Sequence, residues 1–487
     1  FPTRRSSDLL NDMQGGELRA SYILSDLEEF GISKIIKADS PGNEMLWDLD
    51  ASLMLAQQMR KYVVKCRETQ EGQFYPEFVS EDLLEFFAKH DPERLSQMIR
   101  GAFYETGSLR LDENTALKLY GEKVSGSVSR YEKFYECPFK HFMNYGLRLK
   151  ERPEYQVRSA DIGTLYHDSL DRYSKALVQQ GLSFRDVSDE KSAQLVLECV
   201  ENSVKELESD AIISTKRSEY LLNAMTRVLA KTTDVLRMHV KQGLYEPQQF
   251  EMSFSEEGTQ MDFRGKIDRV DIYDAGDIFV KIIDYKSGNK AFSIRDIYTG
   301  QQLQLAAYLN AAISEVRKIS PDKNVRPGGV YYYLIQDKFV KTEKENREKF
   351  RMSGLTNNDP LALAALDRDL AQARPSTVAK ISFTRNGLSA SSSVADDTQF
   401  ENLMTFVQGR IYEAGNRIQS GDVSIAPYFE DQNHNACTYC EYRDVCKFEP
   451  GRWGCDYRTV PENMGADDIE REVYGTHKLD AFTAAGD

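Results

Sequence analysis

The chain has 487 residues, of which 41% are hydrophobic and 11% aromatic, and these proportions are typical of a folded protein with two or three domains. The sequence contains no run of about 18 apolar residues and no secretory signal, so we expect no membrane span and a cytoplasmic location. The net charge of −15 excludes a protein that is basic over its whole surface, and nucleic-acid binding would require positive charge concentrated in one channel.

The N-terminal region is predicted to be helical. Residues 1–8 have no initiator methionine and no apolar periodicity, and we interpret them as a non-native leader. Residues 9–120 show a helical pattern, for example over 81–88. The sequence contains no Gly-x-x-x-x-Gly-Lys-[Ser/Thr] phosphate loop, so this chain is not expected to hydrolyse ATP. The main predicted domain covers 121–450, and a polar, acidic tail is predicted over 451–487.

A second helical region is predicted over 160–242. His167 is placed on a helix there, because apolar residues recur around it at helical spacing: Ile162, Leu165, Leu170, Tyr173 and Leu177. Gly163 lies one turn earlier on the same side, and its lack of a side chain allows another backbone or a ligand to approach closely. A single histidine in a helix is more often a structural hydrogen-bonding group than a metal ligand.

Residues 248–285 predict three strands, and the last two form a hairpin. The turn composition at 274–277 is compatible with a three-residue loop, which pairs Asp274 with Ile278 and places Asp268 opposite Asp284. Both carboxylates then lie on one face, with Cβ atoms roughly 5 Å apart. A two-residue loop would place them on opposite faces. The paired arrangement therefore predicts a positive φ angle at the glycine of this loop.

Two ionised carboxylates at that distance repel each other unless a cation lies between them. Mg²⁺ binds oxygen ligands, commonly one or two carboxylates together with a substrate phosphate. Lys286, on the same face as Asp284, supplies a positive charge that can orient an attacking water and offset negative charge in a transition state. The alternative interpretation is a surface hairpin whose charges are solvated.

The remaining elements complete a mixed sheet flanked by helices, which is an α/β fold. A helix is predicted over 298–318, and a continuous apolar strand, buried on both faces, over 329–335. Residues 343–358 are charged and then rich in asparagine, and we expect a mobile loop there. A helix over 398–419 leads to a cysteine-rich segment.

Three of the seven cysteines have the spacing of a metal site, and a fourth candidate ligand lies far upstream. Cys437, Cys440 and Cys446 are close in sequence, and Cys137 lies in a Cys-Pro-Phe-Lys segment far upstream. In a chain without a secretory signal, such spacing indicates a metal site rather than disulfides. Thiolate ligands leave zinc or an iron–sulfur cluster as candidates, and spacing alone favours zinc because Cys₄ zinc sites are common.

Four motifs resemble those of one enzyme family. Residues 265–271 read Gly-x-x-Asp-Arg-x-Asp and residues 284–287 read Asp-Tyr-Lys-Ser, which resembles the active site of the RecB-family nucleases of the PD-(D/E)xK superfamily. Residues 163–167 resemble the Gly-x-x-x-His motif of that family, and residues 304–308 resemble its Gln-x-x-x-Tyr motif. The motifs occur in family order, and the resemblance implies a restriction-endonuclease-like mixed sheet.

The resemblance also implies the roles of the site residues. Its Mg²⁺ ligands would be Asp268, Asp284 and the Tyr285 carbonyl, with assistance from His167. Lys286 would position the water. Three further residues are implied to belong to the site: Gln304 and Tyr308, which would contact the phosphate or Lys286, and Glu251, which matches an early acidic residue of the family.

One cysteine just before the core of the nuclease domain and three just after it resemble the iron–sulfur staple of AddB (RexB-like) subunits of bacterial AddAB helicase–nucleases. The resemblance implies a [4Fe–4S] cluster held by Cys137, Cys437, Cys440 and Cys446, with zinc as the alternative. Such a metal site closes a loop of roughly 300 residues, and in principle the closure of a long loop stabilises the folded state most. The resemblance further implies a C-terminal AddB-like fragment in which residues 9–120 are the helical remnant of a helicase-like region. It also implies an AddA-like helicase–nuclease partner, with which the fragment would degrade DNA during double-strand break resection and recombinational repair.

Two other functions remain open. The first is a free-standing iron–sulfur exonuclease of the same superfamily, against which the helical region before residue 120 argues. The second is a non-catalytic DNA-binding or assembly subunit with a structural metal site. Intact Asp268, Asp284, Lys286 and His167 argue against the second alternative.

Overall fold

The computed structural model describes residues 10–11, 17–18, 54–59, 61–62, 79–103, 109–150, 159–206, 216–257, 261–336, 348–450, 455–461 and 463–475. The strands are β1 (Leu10–Asn11), β2 (Glu17–Leu18), β3 (Val124–Ser127), β4 (Glu246–Glu257), β5 (Met261–Asp274), β6 (Ile278–Lys286), β7 (Val325–Leu334), β8 (Ser353–Asn357), β9 (Phe383–Thr384), β10 (Gly387–Leu388) and β11 (Val394–Ala395).

The α-helices are α1 (Glu81–His90), α2 (Pro92–Ala102), α3 (Glu113–Tyr120), α4 (Val128–Glu136), α5 (Pro138–His141), α6 (Ser159–Gln179), α7 (Asp189–Glu206), α8 (Lys216–Gln242), α9 (Ile294–Thr299), α10 (Gln304–Ile319), α11 (Pro360–Leu366), α12 (Asp397–Gln419), α13 (Arg443–Cys446) and α14 (Ala466–Tyr474). A π-helix covers Phe142–Gly146 and a 3₁₀-helix covers Leu370–Gln372. Within the described ranges, none of the helices combines the length and apolar character that a bilayer crossing requires.

Seven strands form one mixed sheet in the order β11-β8-β7-β6-β5-β3, with β4 also paired to β5. β6 runs parallel to β7, whereas β4 and β6 run antiparallel to β5. Helices pack against both faces of this sheet. The predicted fold class, a mixed α/β sheet flanked by helices, is therefore confirmed.

The two faces of the sheet belong to two hydrophobic cores. Val280 packs in the core that contains residues of α4, α10, α12 and α14. Phe279, its neighbour in sequence, packs in the core that contains residues of α6, α7 and α8. In β7, Val330 belongs to the first core and Tyr331 to the second, so the predicted burial of 329–335 on both faces is confirmed.

The hairpin of β5 and β6 has the register that the three-residue loop predicts. Asp274 pairs with Ile278, and the pairing continues to Arg269 and Ile283. Gly276 has a φ angle of 100°, as expected for the residue that turns this loop. The next positions along the two strands are Asp268 and Asp284, and the paired ladder ends just before them.

β5 and β6 separate where the hairpin ladder ends. β4 occupies one edge of β5 along most of its length, so β6 and β3 must share the other edge. β6 pairs there with residues 269–274, and β3 pairs with residues 261–264. Residues 265–268 lie between the two partners, while β6 continues beside β7 as far as Lys286. We call this separation of β5 from β6 the fork.

Three sequence predictions differ from the structure. The predicted helix 298–318 is interrupted, because α9 ends before Gly300 and α10 begins at Gln304. The predicted loop over 343–358 contains β8 within its described part. In the predicted tail 451–487, α14 forms a helix in which Ile469 and Val473 are buried. Each error follows from tertiary contacts that a local pattern does not contain.

The chain divides into two compact units. The first consists of residues 1–109, 424–427 and 439–458, and its described core contains Leu55, Met59, Val79 and Phe87. The second consists of residues 110–423, 428–438 and 459–487 and contains the seven-stranded sheet. The sequence-based domain boundaries stay a prediction.

Candidate active site

Asp268 is the central residue of the fork. Its Oδ2 accepts a hydrogen bond of 2.7 Å from the backbone N–H of Tyr285, on the strand that has left β5. The same oxygen lies 3.2 Å from Nδ1 of His167, on α6. The carboxylate therefore replaces the missing backbone partner of Tyr285 and also fixes the orientation of the imidazole.

The ladder between β4 and β5 is interrupted beside Asp268. Phe250 pairs with Arg269 and Met252 with Ile267, but Glu251 has a φ angle of 49°, in the left-handed region. Such a φ angle is uncommon for residues other than glycine and costs on the order of 1–3 kcal/mol. We attribute the distortion to the site, because it brings a Glu251 carboxylate oxygen beside the ligand atoms of His167 and Asp268.

His167, Glu251 and Asp268 form a group that can hold a metal ion. One ligand atom from each residue lies within 4.8 Å of the ligand atoms of the other two. Glu251 also contacts Lys266 at 3.3 Å. Two carboxylates and an imidazole are suitable ligands for a divalent cation.

Asp284 lies at the end of β6 and is buried. Its carboxylate contacts Nζ of Lys286 rather than joining the group of three ligand atoms. Burial, and then the negative charge of Asp268, raise the pKa of Asp284 to about 7. The ionised form of Asp284 is therefore less favourable here than in water.

The pKa values of two neighbouring groups, Glu251 and His167, are also raised. Burial, followed by the charge of Asp268, raises the pKa of Glu251. Burial opposes the charged form of His167, but the hydrogen bond and charge of Asp268 outweigh it and raise the pKa of the imidazole. A bound cation would favour the ionised forms of both carboxyl groups, because an opposite charge offsets burial and the repulsion by Asp268. The residues present therefore fit a divalent metal ion.

Gln304 and Tyr308 extend the site through Lys286. Oε1 of Gln304 accepts a hydrogen bond of 3.2 Å from Nζ of Lys286, and Nε2 of Gln304 donates to the Tyr308 hydroxyl at 2.9 Å. Both side chains lie on the first turns of α10, as expected for residues four positions apart on a helix. The lysine is thus held between Asp284 and Gln304.

Gly163 lies where α6 approaches the end of β6. A Cβ atom at this position would lie 2.9 Å from Oγ of Ser287, so this hydroxyl would have to rotate away to admit a larger residue. The absence of a side chain at Gly163 thus allows close contact between α6 and the residue that follows β6.

Arg269 and Asp271, which belong to the same motif as Asp268, do not join the metal-binding group. They form a bidentate ion pair at 2.6 and 2.8 Å in the core, and Lys281 contacts Asp271 at 2.9 Å. Burial opposes ionisation of Asp271, but Arg269 and Lys281 outweigh it and lower its pKa. This half of the motif stabilises the paired part of the hairpin and contributes no ligand.

The structure brings Glu132 to the site, a residue to which the sequence assigned no role. Its carboxylate meets the first residues of α10, and its charge acts on Lys286 and Lys290. Glu132 lies in the segment that leads to Cys137. No local pattern reveals its role, because its partners lie more than 170 residues away in the chain.

The four predicted thiol ligands lie in the described part of the chain. Cys137 is buried and directly follows α4. The backbone N–H of Cys437 donates to Oδ1 of Asn435 at 3.1 Å, which shapes the turn around it. Burial, with a smaller effect of the neighbouring Cys440, raises the pKa of Cys446. Cys137 and Cys437 belong to the second compact unit, whereas Cys440 and Cys446 belong to the first.

Known proteins resemble this chain over most of its length. A relative from Lachnoclostridium phytofermentans, named as the B subunit of an ATP-dependent helicase/deoxyribonuclease, is 33% identical over 98% of this chain and 42% of its own length. A relative of the same name from Alkaliphilus oremlandii is 35% identical over 78% of this chain and 35% of its own length. The chain thus spans about two-fifths or less of these relatives.

A comparison with a solved structure from Eubacterium rectale covers 52% of this chain and 79% of that chain at 15% identity. Its TM-score of 0.27 is too low to indicate a shared fold. The family model of the PD-(D/E)XK nuclease superfamily matches residues 125–447 of this chain. The matched residues include the fork and all of its candidate ligands. The resemblance found in the motifs is therefore confirmed, and the chain belongs to the PD-(D/E)XK nuclease superfamily.

Proposed function

We propose that this chain is the nuclease part of an AddB-like subunit and that it hydrolyses DNA phosphodiester bonds with Mg²⁺, as an exonuclease. The observation that carries the proposal is the group of His167, Glu251 and Asp268 at the fork, beside the Asp284–Lys286 pair. A cation-binding group next to a lysine provides both components that metal-assisted hydrolysis needs.

The metal ion would be held by Asp268, Glu251 and His167, with Asp284 and the Tyr285 carbonyl as the remaining candidates. When bound, it would polarise the scissile phosphate and stabilise the leaving oxygen. Asp268 keeps His167 oriented through the 3.2 Å contact with Nδ1. Lys286, held by Gln304, would orient the attacking water and offset the negative charge that develops on the phosphate.

The biological setting that we propose is resection of double-strand breaks for recombinational repair, in a heterodimer with an AddA-like helicase–nuclease subunit. The relatives are named as the B subunit of an ATP-dependent helicase/deoxyribonuclease, which supports a partner subunit and a DNA substrate.

The catalytic claim is tested by degradation of single-stranded DNA with and without Mg²⁺. We expect Mg²⁺-dependent degradation by the wild-type chain and a loss on the order of 100-fold or more in Asp284→Ala, because the variant lacks the acid that holds Lys286. Asp322→Ala, which removes an exposed acid, serves as the matched control and should retain wild-type activity. Equal activity in all three proteins would contradict the proposal and favour a DNA-binding or assembly role.

We also propose that Cys137, Cys437, Cys440 and Cys446 hold a [4Fe–4S] cluster, with zinc as the alternative. The close spacing of Cys437, Cys440 and Cys446, together with the fourth thiol of Cys137, supports either metal centre. A brown protein with broad visible absorption, lost in Cys446→Ser, is the expected result. A colourless protein that contains stoichiometric zinc would overturn the iron–sulfur assignment.

A further inference from the structure

Glu132 is a buried acid whose partners connect it to the candidate active site. It lies on α4, and the exposed fraction of the residue is 9%. Its Oε1 accepts a hydrogen bond of 2.7 Å from the backbone N–H of Leu303 and one of 3.1 Å from that of Gln304. Both donors stand at the start of α10, so the carboxylate of one helix binds the N-terminus of another.

α10 depends on this acceptor. The first N–H groups of a helix have no partner within the helix and are commonly satisfied by the side chain of the N-cap residue. The N-cap of α10 is Leu303, whose side chain makes no capping hydrogen bond. Glu132 supplies the missing acceptor, and its negative charge also interacts favourably with the helix dipole.

The residue that Glu132 fixes is the one that holds the lysine of the site. Gln304 is the first residue of α10, and its side chain accepts the hydrogen bond from Lys286 while donating to Tyr308. A shift of the first turn of α10 would move both contacts at once. The chain of contacts thus runs from Glu132 through Gln304 to Lys286 and ends at Asp284.

Burial dominates the electrostatics of Glu132, so the net effect of its surroundings is a raised pKa. Burial raises its pKa, whereas Lys290, the two N–H donors and Lys286 act in the opposite direction. Both lysines lie over the ring of Tyr332, with Nζ at 5.8 Å for Lys286 and 5.3 Å for Lys290.

We propose that Glu132 is a positioning residue of the nuclease centre: it fixes the first turn of α10 and thereby holds Gln304 and Lys286 where the lysine reaches Asp284 and the attacking water. The inference rests on the proposed function, since it assigns Lys286 a role in hydrolysis. Glu132 itself touches neither the candidate metal ligands nor Lys286 through a hydrogen bond.

Steady-state kinetics of Mg²⁺-dependent DNA degradation tests this role. Glu132→Ala should lower kcat about 100-fold, because small displacements of catalytic groups have effects of that size, and should leave KM for DNA within about twofold. Glu132→Gln retains an acceptor for the two N–H groups and should recover most of the lost kcat. Asp396→Ala, which removes the side-chain cap of α12 outside the site, is the matched control for loss of a helix cap.

Unfolding curves and amide hydrogen exchange of Leu303 and Gln304 accompany the kinetics. Faster exchange at these amides in Glu132→Ala, together with the fall in kcat and unchanged kcat in Asp396→Ala, supports the proposal. Wild-type kcat in Glu132→Ala, or a loss that matches only the unfolded fraction, overturns it while the proposed function stands. If the wild type and Asp284→Ala degrade DNA equally, the proposed function fails and this inference fails with it.

Discussion

At the scale of single residues, the fork depends on side chains that replace backbone hydrogen bonds. Asp268 accepts the N–H of Tyr285 because β6 no longer pairs with β5 there. The sequence could predict the register of β5 against β6, since loop length fixes the register of a hairpin. The family resemblance placed Glu251 in the site, but the sequence could not predict its positive φ angle, because such an angle in a strand depends on tertiary contacts.

The contribution of Glu251 to metal binding can be tested by removing its charge. Glu251→Gln keeps the shape of the side chain but removes one negative charge from the group of three ligand atoms. We expect the Mg²⁺ concentration for half-maximal DNA degradation to rise on the order of tenfold, with the maximal rate much less affected. Glu315→Gln, on the exposed side of α10, is the control. Identical Mg²⁺ titrations for both variants would show that Glu251 does not contribute to the metal site.

At the scale of elements, the sequence predicted strands and helices with strong periodicity and missed those that tertiary contacts define. The three strands of 248–285 and the helix α12 follow apolar patterns and were predicted. β3 has the sequence Val-Ser-Gly-Ser, which has little strand preference, and it forms because β5 offers it a free edge. The break between α9 and α10 was also missed, although it determines where Gln304 lies.

Gly300 accounts for that break and can be tested. It has a φ angle of 83°, and a Cβ atom there would lie 2.3 Å from the ring of Tyr135. Gly300→Ala should therefore lower the free energy of unfolding by about 2 kcal/mol. Gly409→Ala, inside α12 with no atom near the added Cβ, should instead raise it by about 1 kcal/mol. Urea unfolding measures both changes, and equal effects of the two substitutions would contradict this explanation.

At the scale of the whole molecule, helices on both faces of the sheet bury polar groups whose protonation affects global stability. His239 is buried on α8, and burial, with the nearby cations Lys281 and Arg269, lowers its pKa to about 3 from an ordinary 6.5. Between these values the unfolded chain binds a proton that the folded chain excludes. The stability from neutral His239 is therefore complete above about pH 6.5 and is lost as the pH falls toward 3.

His239→Phe removes this titration. Urea unfolding of the variant between about pH 7 and pH 4.5 should show a weaker loss of stability with acid than the wild type shows. Met238→Leu, on the same helix, removes no titratable group and should give a pH dependence parallel to that of the wild type. Parallel curves for the wild type and His239→Phe would contradict the assignment of acid sensitivity to this residue.

The central claim is that one divalent cation is bound at the fork by His167, Glu251 and Asp268. The most direct measurement is a crystal structure of the chain soaked in Mn²⁺, with anomalous scattering recorded to locate the ion. We predict a peak within about 2.5 Å of a carboxylate oxygen of Asp268 and of Glu251, and of a ring nitrogen of His167. A well-ordered fork without such a peak, in crystals that bind Mn²⁺ elsewhere, would contradict the account.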